Sequence, residues 1–155
     1  MTAQLRTLVE QVTRHIAGRP LDKALEDELN RAFPPAGDTF RAIERACHDG
    51  IAAGALCTQG GGNRKFGRVF EPDDALARFS VDVVDITSLV GNHHNHPTGE
   101  IDLVLPVDPQ ARFDGRGAGW LVYGPGSGHR PTVTDGRAVV LYLLPEGRIE
   151  WTKTG

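Results

Sequence analysis

A chain of 155 residues with a formal net charge of −3 is long enough to bury one core and offers no basic surface for nucleic acid. No apolar run reaches membrane-spanning length, and the N-terminus lacks the apolar segment of a signal peptide. Cys47 and Cys57 are the only cysteines and lack Cys-x-x-Cys spacing, so they read as reduced, structural thiols of a soluble cytoplasmic protein.

Helical spacing opens the chain. Leu5, Leu8, Val9, Val12 and Ile16 share one face over residues 2–17, and Gly18 and Pro20 supply the stop. Leu21, Leu25, Leu29 and Phe33 form a second stripe that ends at Pro34-Pro35, with Glu26, Asp27 and Glu28 read as a solvated face. Asp38 is placed to cap a third helix carrying Phe40, Ile43, Ala46 and Cys47 and stopping near Gly50. His15 and His48 stand alone on these helices and carry no evident chemistry.

From residue 51 the pattern changes to period two. Ile51 to Thr58 reads as a first strand, followed by a glycine-rich turn that lacks the Gly-Lys-Ser/Thr of a phosphate loop. Arg64 to Phe70 is a basic strand, and Phe79 to Ile86 places Phe79, Val81, Val83 and Asp85 on one face. After a histidine-rich block, further strands are expected at Ile101–Leu105, Ala118–Tyr123, His129–Thr134, Arg137–Leu144 and Arg148–Thr152. Roughly seven to nine short antiparallel strands at this spacing predict a sandwich or barrel. The expected organisation is mainly β: a helical extension over residues 1–50 and a barrel over 51–155, forming one compact unit.

The histidine block is the strongest functional signal. His93, His94, His96, Glu100 and Asp102 crowd into one short stretch. On a strand His94 and His96 project together while His93 points away, and Glu100 returns to their face after the Pro-Thr-Gly bend. Two imidazoles and a carboxylate on one surface suit a divalent transition metal, and Pro125-Gly126-Ser127-Gly128-His129 offers a further ligand. His93 is left with a supporting place. Asp102 shares the parity of Glu100 and either orients a histidine, transfers protons or points outward. Arg64 and Arg68 share a face and either bind a substrate carboxylate or are surface charge. Trp120 and Tyr123 either line an aromatic pocket or belong to the core.

His94-x-His96-x-x-x-Glu100 followed by Pro125-Gly126-x-x-His129 resembles the two motifs of the cupin superfamily. The resemblance implies a double-stranded β-helix, or jelly-roll barrel, whose interior metal is held by His94, His96, Glu100 and His129. Fe2+, Mn2+, Zn2+, Ni2+ and Co2+ all suit such a set. The chain departs from the motifs at Val107 and Val133, where cupins often carry glycine and asparagine.

A narrower likeness is carried by Gly67-Arg68-Val69-Phe70, Phe79-Ser80-Val81-Asp82-Val83-Val84, Gly99-Glu100-Ile101-Asp102-Leu103, Gly117-Ala118-Gly119-Trp120-Leu121-Val122-Tyr123 and Leu141-Tyr142-Leu143-Leu144-Pro145. These resemble the bacterial 4-hydroxylaminobenzoate lyase family. The resemblance implies conversion of 4-hydroxylaminobenzoate to protocatechuate with release of ammonia. It casts Glu100 and Asp102 as catalytic carboxylates, with the metal activating water and Asp102 shuttling protons. Arg64 or Arg68 would hold the carboxylate of a small aromatic substrate, with Trp120 and Tyr123 lining the pocket. A cupin dioxygenase acting on an aromatic or thiol substrate and a non-catalytic small-molecule binder are the competing readings. Fold-level analogy also leaves a homodimer open, with the helices supplying the contact.

Overall fold

The computed structural model describes residues 2–152. Helix α1 (Thr2–Ile16) buries Leu5, Val9, Val12 and Ile16, the stripe expected from their spacing. Helix α2 (Lys23–Ala32) is capped by Asp22, whose carboxylate accepts the Leu25 N–H at 2.9 Å. Helix α3 (Asp38–Ala52) departs from expectation at both ends. Gly37, not Asp38, takes the capping position, and the helix continues past Gly50. The strand expected over Ile51–Thr58 is therefore absent. Gly50 serves close approach here and does not stop the helix. A Cβ at that position would lie 2.6 Å from Leu56 Cδ1, and the Gly50 carbonyl accepts the N–H groups of Ala55 and Leu56 at 2.9 and 3.1 Å. This reversal buries Leu56 and Cys57.

The strands follow as β1 (Gln59–Gly61), β2 (Arg64–Phe70), β3 (Phe79–Val90), β4 (His94–His96), β5 (Glu100–Pro106), β6 (Arg112–Phe113), β7 (Gly119–Tyr123), β8 (Ser127–His129), β9 (Thr132–Pro145) and β10 (Glu150–Trp151). One antiparallel sheet runs β1-β2-β3-β9-β5-β7, with β6 also on β9, and a small second sheet runs β10-β4-β8. The continuous strand expected over His129–Thr134 is divided, because Arg130-Pro131 separates β8 from β9. Proline lacks the N–H that a continued ladder would need. The break assigns His129 to the small sheet and Thr132 onward to the large one.

Alternation along the large sheet sorts its side chains into two layers. Val81, Val83, Leu103, Leu141 and Leu143 pack in one cluster with the helical residues Leu5, Leu25, Leu29 and Phe40. Val84, Ile86, Val104, Val140 and Tyr142 form the other cluster, on the opposite face. Trp120 belongs to the first layer, and its indole N–H donates to the Phe33 carbonyl at 2.9 Å. It consequently lines no pocket beside the histidine block, because strand alternation turns it toward the helices. No helix among the described residues is long and apolar enough to cross a membrane.

The outer edge of β7 is closed by side chains of α2. Glu26 Oε1 accepts the Val122 N–H at 2.9 Å, while Asn30 accepts the Trp120 N–H at 2.8 Å and donates to the Trp120 carbonyl at 3.0 Å. Glu26 Oε2 accepts from Lys23 at 2.7 Å and Arg116 at 3.2 Å. Glu26 is thus a buried bridge between helix and sheet, which corrects its reading as part of a solvated face. Burial raises its pKa, but the bonds from Lys23, Val122 and Arg116 outweigh this and leave it below the ordinary glutamate value. Its stabilisation is present above the unfolded-state value and lost as pH falls through the lower folded value. Glu26→Gln should cost about 1–3 kcal/mol at neutral pH, with the deficit shrinking as both proteins are acidified. Denaturant unfolding at several pH values measures this, and an unchanged midpoint at neutral pH would contradict the bridging role.

Candidate metal centre

The pairing of β4 with β8 sets His94 directly opposite His129 and His96 opposite Ser127. On the other side of β4, Trp151 stands opposite His94. The chain then turns through Pro97-Thr98-Gly99 into β5. Gly99 has φ +92°, and a Cβ there would lie 2.7 Å from Leu21 Cδ2 and 2.9 Å from the Tyr123 carbonyl. Only glycine passes this point without strain. The turn delivers Glu100 onto the large sheet, opposite Tyr123, and points it back at the imidazoles of the small one.

His94, His96 and Glu100 have no solvent exposure, and His129 is partly buried. One donor atom from each of the four lies within 4.8 Å of every other, a group able to hold one metal ion. Glu100 Oε1 lies 3.2 Å from both His94 Nε2 and His96 Nε2, and Oε2 lies 3.4 Å from His129 Nε2. The Nε2 atoms of His94 and His129 approach to 3.1 Å. His96 Nε2 and Glu100 Oε2 are buried without a hydrogen-bond partner. Two imidazole nitrogens facing each other beside such orphaned atoms fit a divalent cation, which accepts from all of them at once.

The far sides of two rings are held through Nδ1, so that Nε2 is the nitrogen each turns toward this cluster. Ser127 donates its hydroxyl to the Gly124 carbonyl at 2.6 Å and therefore accepts the His96 Nδ1–H at 3.0 Å. Asp114 Oδ2 accepts the His129 Nδ1–H at 2.5 Å and also a bond from the Tyr123 hydroxyl. Its Oδ1 accepts the Thr132 N–H at 2.9 Å. Burial raises the Asp114 carboxyl, but the bonds from His129, Tyr123 and Thr132 outweigh it and hold the group below its ordinary value. Burial would lower His129, yet its bonds to Asp114 and Glu100 push it up to about 9. His94 has no partner on Nδ1, and burial moves it down.

Asp102 is buried on the same face of β5 as Glu100, and neither of its oxygens finds a hydrogen-bond donor. Burial, followed by the adjacent Glu100 charge, raises its pKa well above the ordinary aspartate value. Burial also opposes the charge on Glu100, but the close approach of His129, His94 and His96 holds its pKa well below the ordinary value.

The remaining expected site residues divide. Tyr123 lies here, its ring 4.4 Å from His129 and 5.3 Å from His96 by centroids. His93 faces away and pairs through Nδ1 with the Thr152 hydroxyl at 2.8 Å. Arg68 is fastened to Asp82 at 2.8 Å, Glu71 at 3.1 Å and the Gly147 carbonyl at 3.1 Å, so its charge is already met within the protein. Arg64 stays beside the site, against Phe66 and Trp151. Asp114 escaped the sequence reading because Asp-Gly after an aromatic residue marks a turn whatever its side chain does.

The chain matches the family model described as 4-hydroxylaminobenzoate lyase (PnbB) over residues 7–151. It is 31% identical over 144 residues to a 4-hydroxylaminobenzoate lyase of Pseudomonas putida, covering 82% of each chain. It is 31% identical over 148 residues to one of Nocardioides sp. (strain LMS-CY), covering 90% of this chain and 88% of that one. A protein of unknown function with a cupin-like fold from Ralstonia eutropha JMP134 aligns with TM-score 0.46 and 16% identity over 62% of this chain and 63% of its own.

If Asp114 orients His129, Asp114→Asn should weaken binding of Zn2+ or Co2+ by about 10- to 100-fold. Competition with a chromophoric chelator reads this directly, and wild-type affinity in a folded variant would sink it.

Proposed function

Because the chain belongs to the 4-hydroxylaminobenzoate lyase family, we propose that it converts 4-hydroxylaminobenzoate and water to protocatechuate and ammonia. The reaction needs no external oxidant. The N–O bond breaks and its oxygen leaves as water, accepting the electron pair that the ring gives up. One water adds at the ring carbon beside the C–N carbon, a second hydrolyses the resulting imine, and ammonia departs.

The observation that carries this reading is the convergence of His94, His96, Glu100 and His129 inside a chain of this family. These four residues would hold a divalent transition ion, and Fe2+, Mn2+, Zn2+, Ni2+ and Co2+ are all compatible with three imidazoles and one carboxylate. Such an ion, when bound, supplies a Lewis acid for polarising oxygen and activating water. Asp102, whose carboxyl burial and Glu100 push toward the neutral form, is the group assigned to deliver a proton to the leaving oxygen. Asp114 and Ser127 keep the His129 and His96 rings in the orientation that presents Nε2. The Tyr123 hydroxyl is committed to Asp114, so its part is to wall the site. Cys47 and Cys57 are buried free thiols that burial pushes up to about 12, unreactive groups suited to a reducing cytoplasm.

The test is an anaerobic assay on the purified protein, with its metal content measured beforehand. Ammonia and protocatechuate should appear in equal amounts without oxygen, and removal of the metal should abolish both. A requirement for oxygen would indicate a dioxygenase, and full turnover by metal-free protein would defeat the metal's role. Asp102→Asn should retain the metal while kcat falls about 10²- to 10⁴-fold. A variant with normal kcat would remove Asp102 from proton transfer.

A further inference from the structure

Register across β2 and β3 places Arg64 opposite Ile86, Phe66 opposite Val84 and Arg68 opposite Asp82. Together with Tyr142 and Trp151 these residues bound a cavity of about 220 Å3. An apolar cavity of about 150 Å3 already accommodates a benzene ring. Trp151 connects the cavity to the cluster: its ring lies 5.0 Å from that of His94 by centroids, although the residue is 52% exposed. Tyr142 is also near, with its ring centroid 6.4 Å from that of His94.

The two arginines of this wall are in different electrostatic states. Arg68 is already neutralised by Asp82 and Glu71. Arg64 is half-buried, with its guanidinium carbon 4.5 Å from the Phe66 ring centroid and 5.6 Å from that of Trp151. No carboxylate is paired with it among the described residues. A guanidinium held against two rings keeps its in-plane N–H fork available, the geometry that grips a carboxylate through two parallel bonds. The walls that hold it are flat and aromatic, suited to a planar ring.

We infer that this cavity is an aryl-carboxylate subsite, with Arg64 binding the carboxylate and Trp151 stacking on the ring. The assignment rests on the proposed reaction only in directing the opposite end of the ring toward His94. Occupancy itself requires no turnover. Arg64 and Trp151 therefore set which acids reach the ligand cluster, and Arg68 holds the wall behind them.

The experiment is calorimetric titration of the protein as purified with 4-aminobenzoate and with its uncharged counterpart 4-aminobenzamide, neither of which has an N–O bond to break. The acid should bind about 10- to 100-fold more tightly than the amide. Arg64→Met should erase that preference, and Arg64→Lys should restore part of it. Trp151→Ala should weaken acid and amide alike. Thermal melts of the variants establish that they are folded. Equal affinity for acid and amide, or acid preference that survives Arg64→Met, would overturn the subsite. If acid-selective binding depends on Arg64 but the hydroxylamine is not turned over, the subsite stands and the proposed reaction fails. If turnover occurs and its KM is unchanged in Arg64→Met, the reaction stands and the subsite fails.

Discussion

A carboxylate shut away from water must have its charge answered by the protein around it, and Glu100 is answered by three imidazoles. That requirement fixes much of the architecture. The histidines come from β4 and β8 of the small sheet, whereas Glu100 comes from β5 of the large one. The site therefore exists only when the two sheets face each other. The Pro97-Thr98-Gly99 turn is the short covalent connection that makes them do so, and Thr98 fastens it by donating its hydroxyl to the Pro145 carbonyl at 2.8 Å.

Behind the four convergent groups stand residues whose work is orientation. Asp114 collects three donors and Ser127 relays a bond from His96 to the Gly124 carbonyl, so both rings present the same nitrogen. Asp102 shows the opposite tendency, its carboxyl raised where that of Glu100 is lowered. Two carboxyl groups on one strand face are thus pushed in opposite directions by what surrounds each. The other face of the sheet is apolar and covered by helices, which shelter the strands and, through Glu26 and Asn30, satisfy the open edge of β7.

Much of this was legible in the residues, for identifiable reasons. Strand alternation picks out His94 and His96, separates them from His93 and places Glu100 and Asp102 on a common face, because period two survives any detail of packing. The same parity could not tell that Glu100 reaches the cluster from the opposing sheet. Nor could it distinguish Arg64 from Arg68, which share a face and differ only in neighbours distant in sequence, Asp82 and Gly147. The core placement of Trp120 and the bridging of Glu26 are hidden for a related reason: their partners, Phe33 and Val122, lie far along the chain. Gly50 carries a strong local stop signal that tertiary contact with Leu56 overrides. Local chemistry was legible wherever one element contained it, and was lost wherever packing between elements decided the outcome.

Two facing sheets assemble one centre of three imidazoles and one carboxylate. X-ray absorption spectroscopy at the metal edge of the protein as purified tests it most directly. Nitrogen and oxygen ligands at about 2.0–2.2 Å are expected, with outer-shell scattering from three imidazole rings. A spectrum fitted by a single imidazole, or by sulfur ligands, would contradict it.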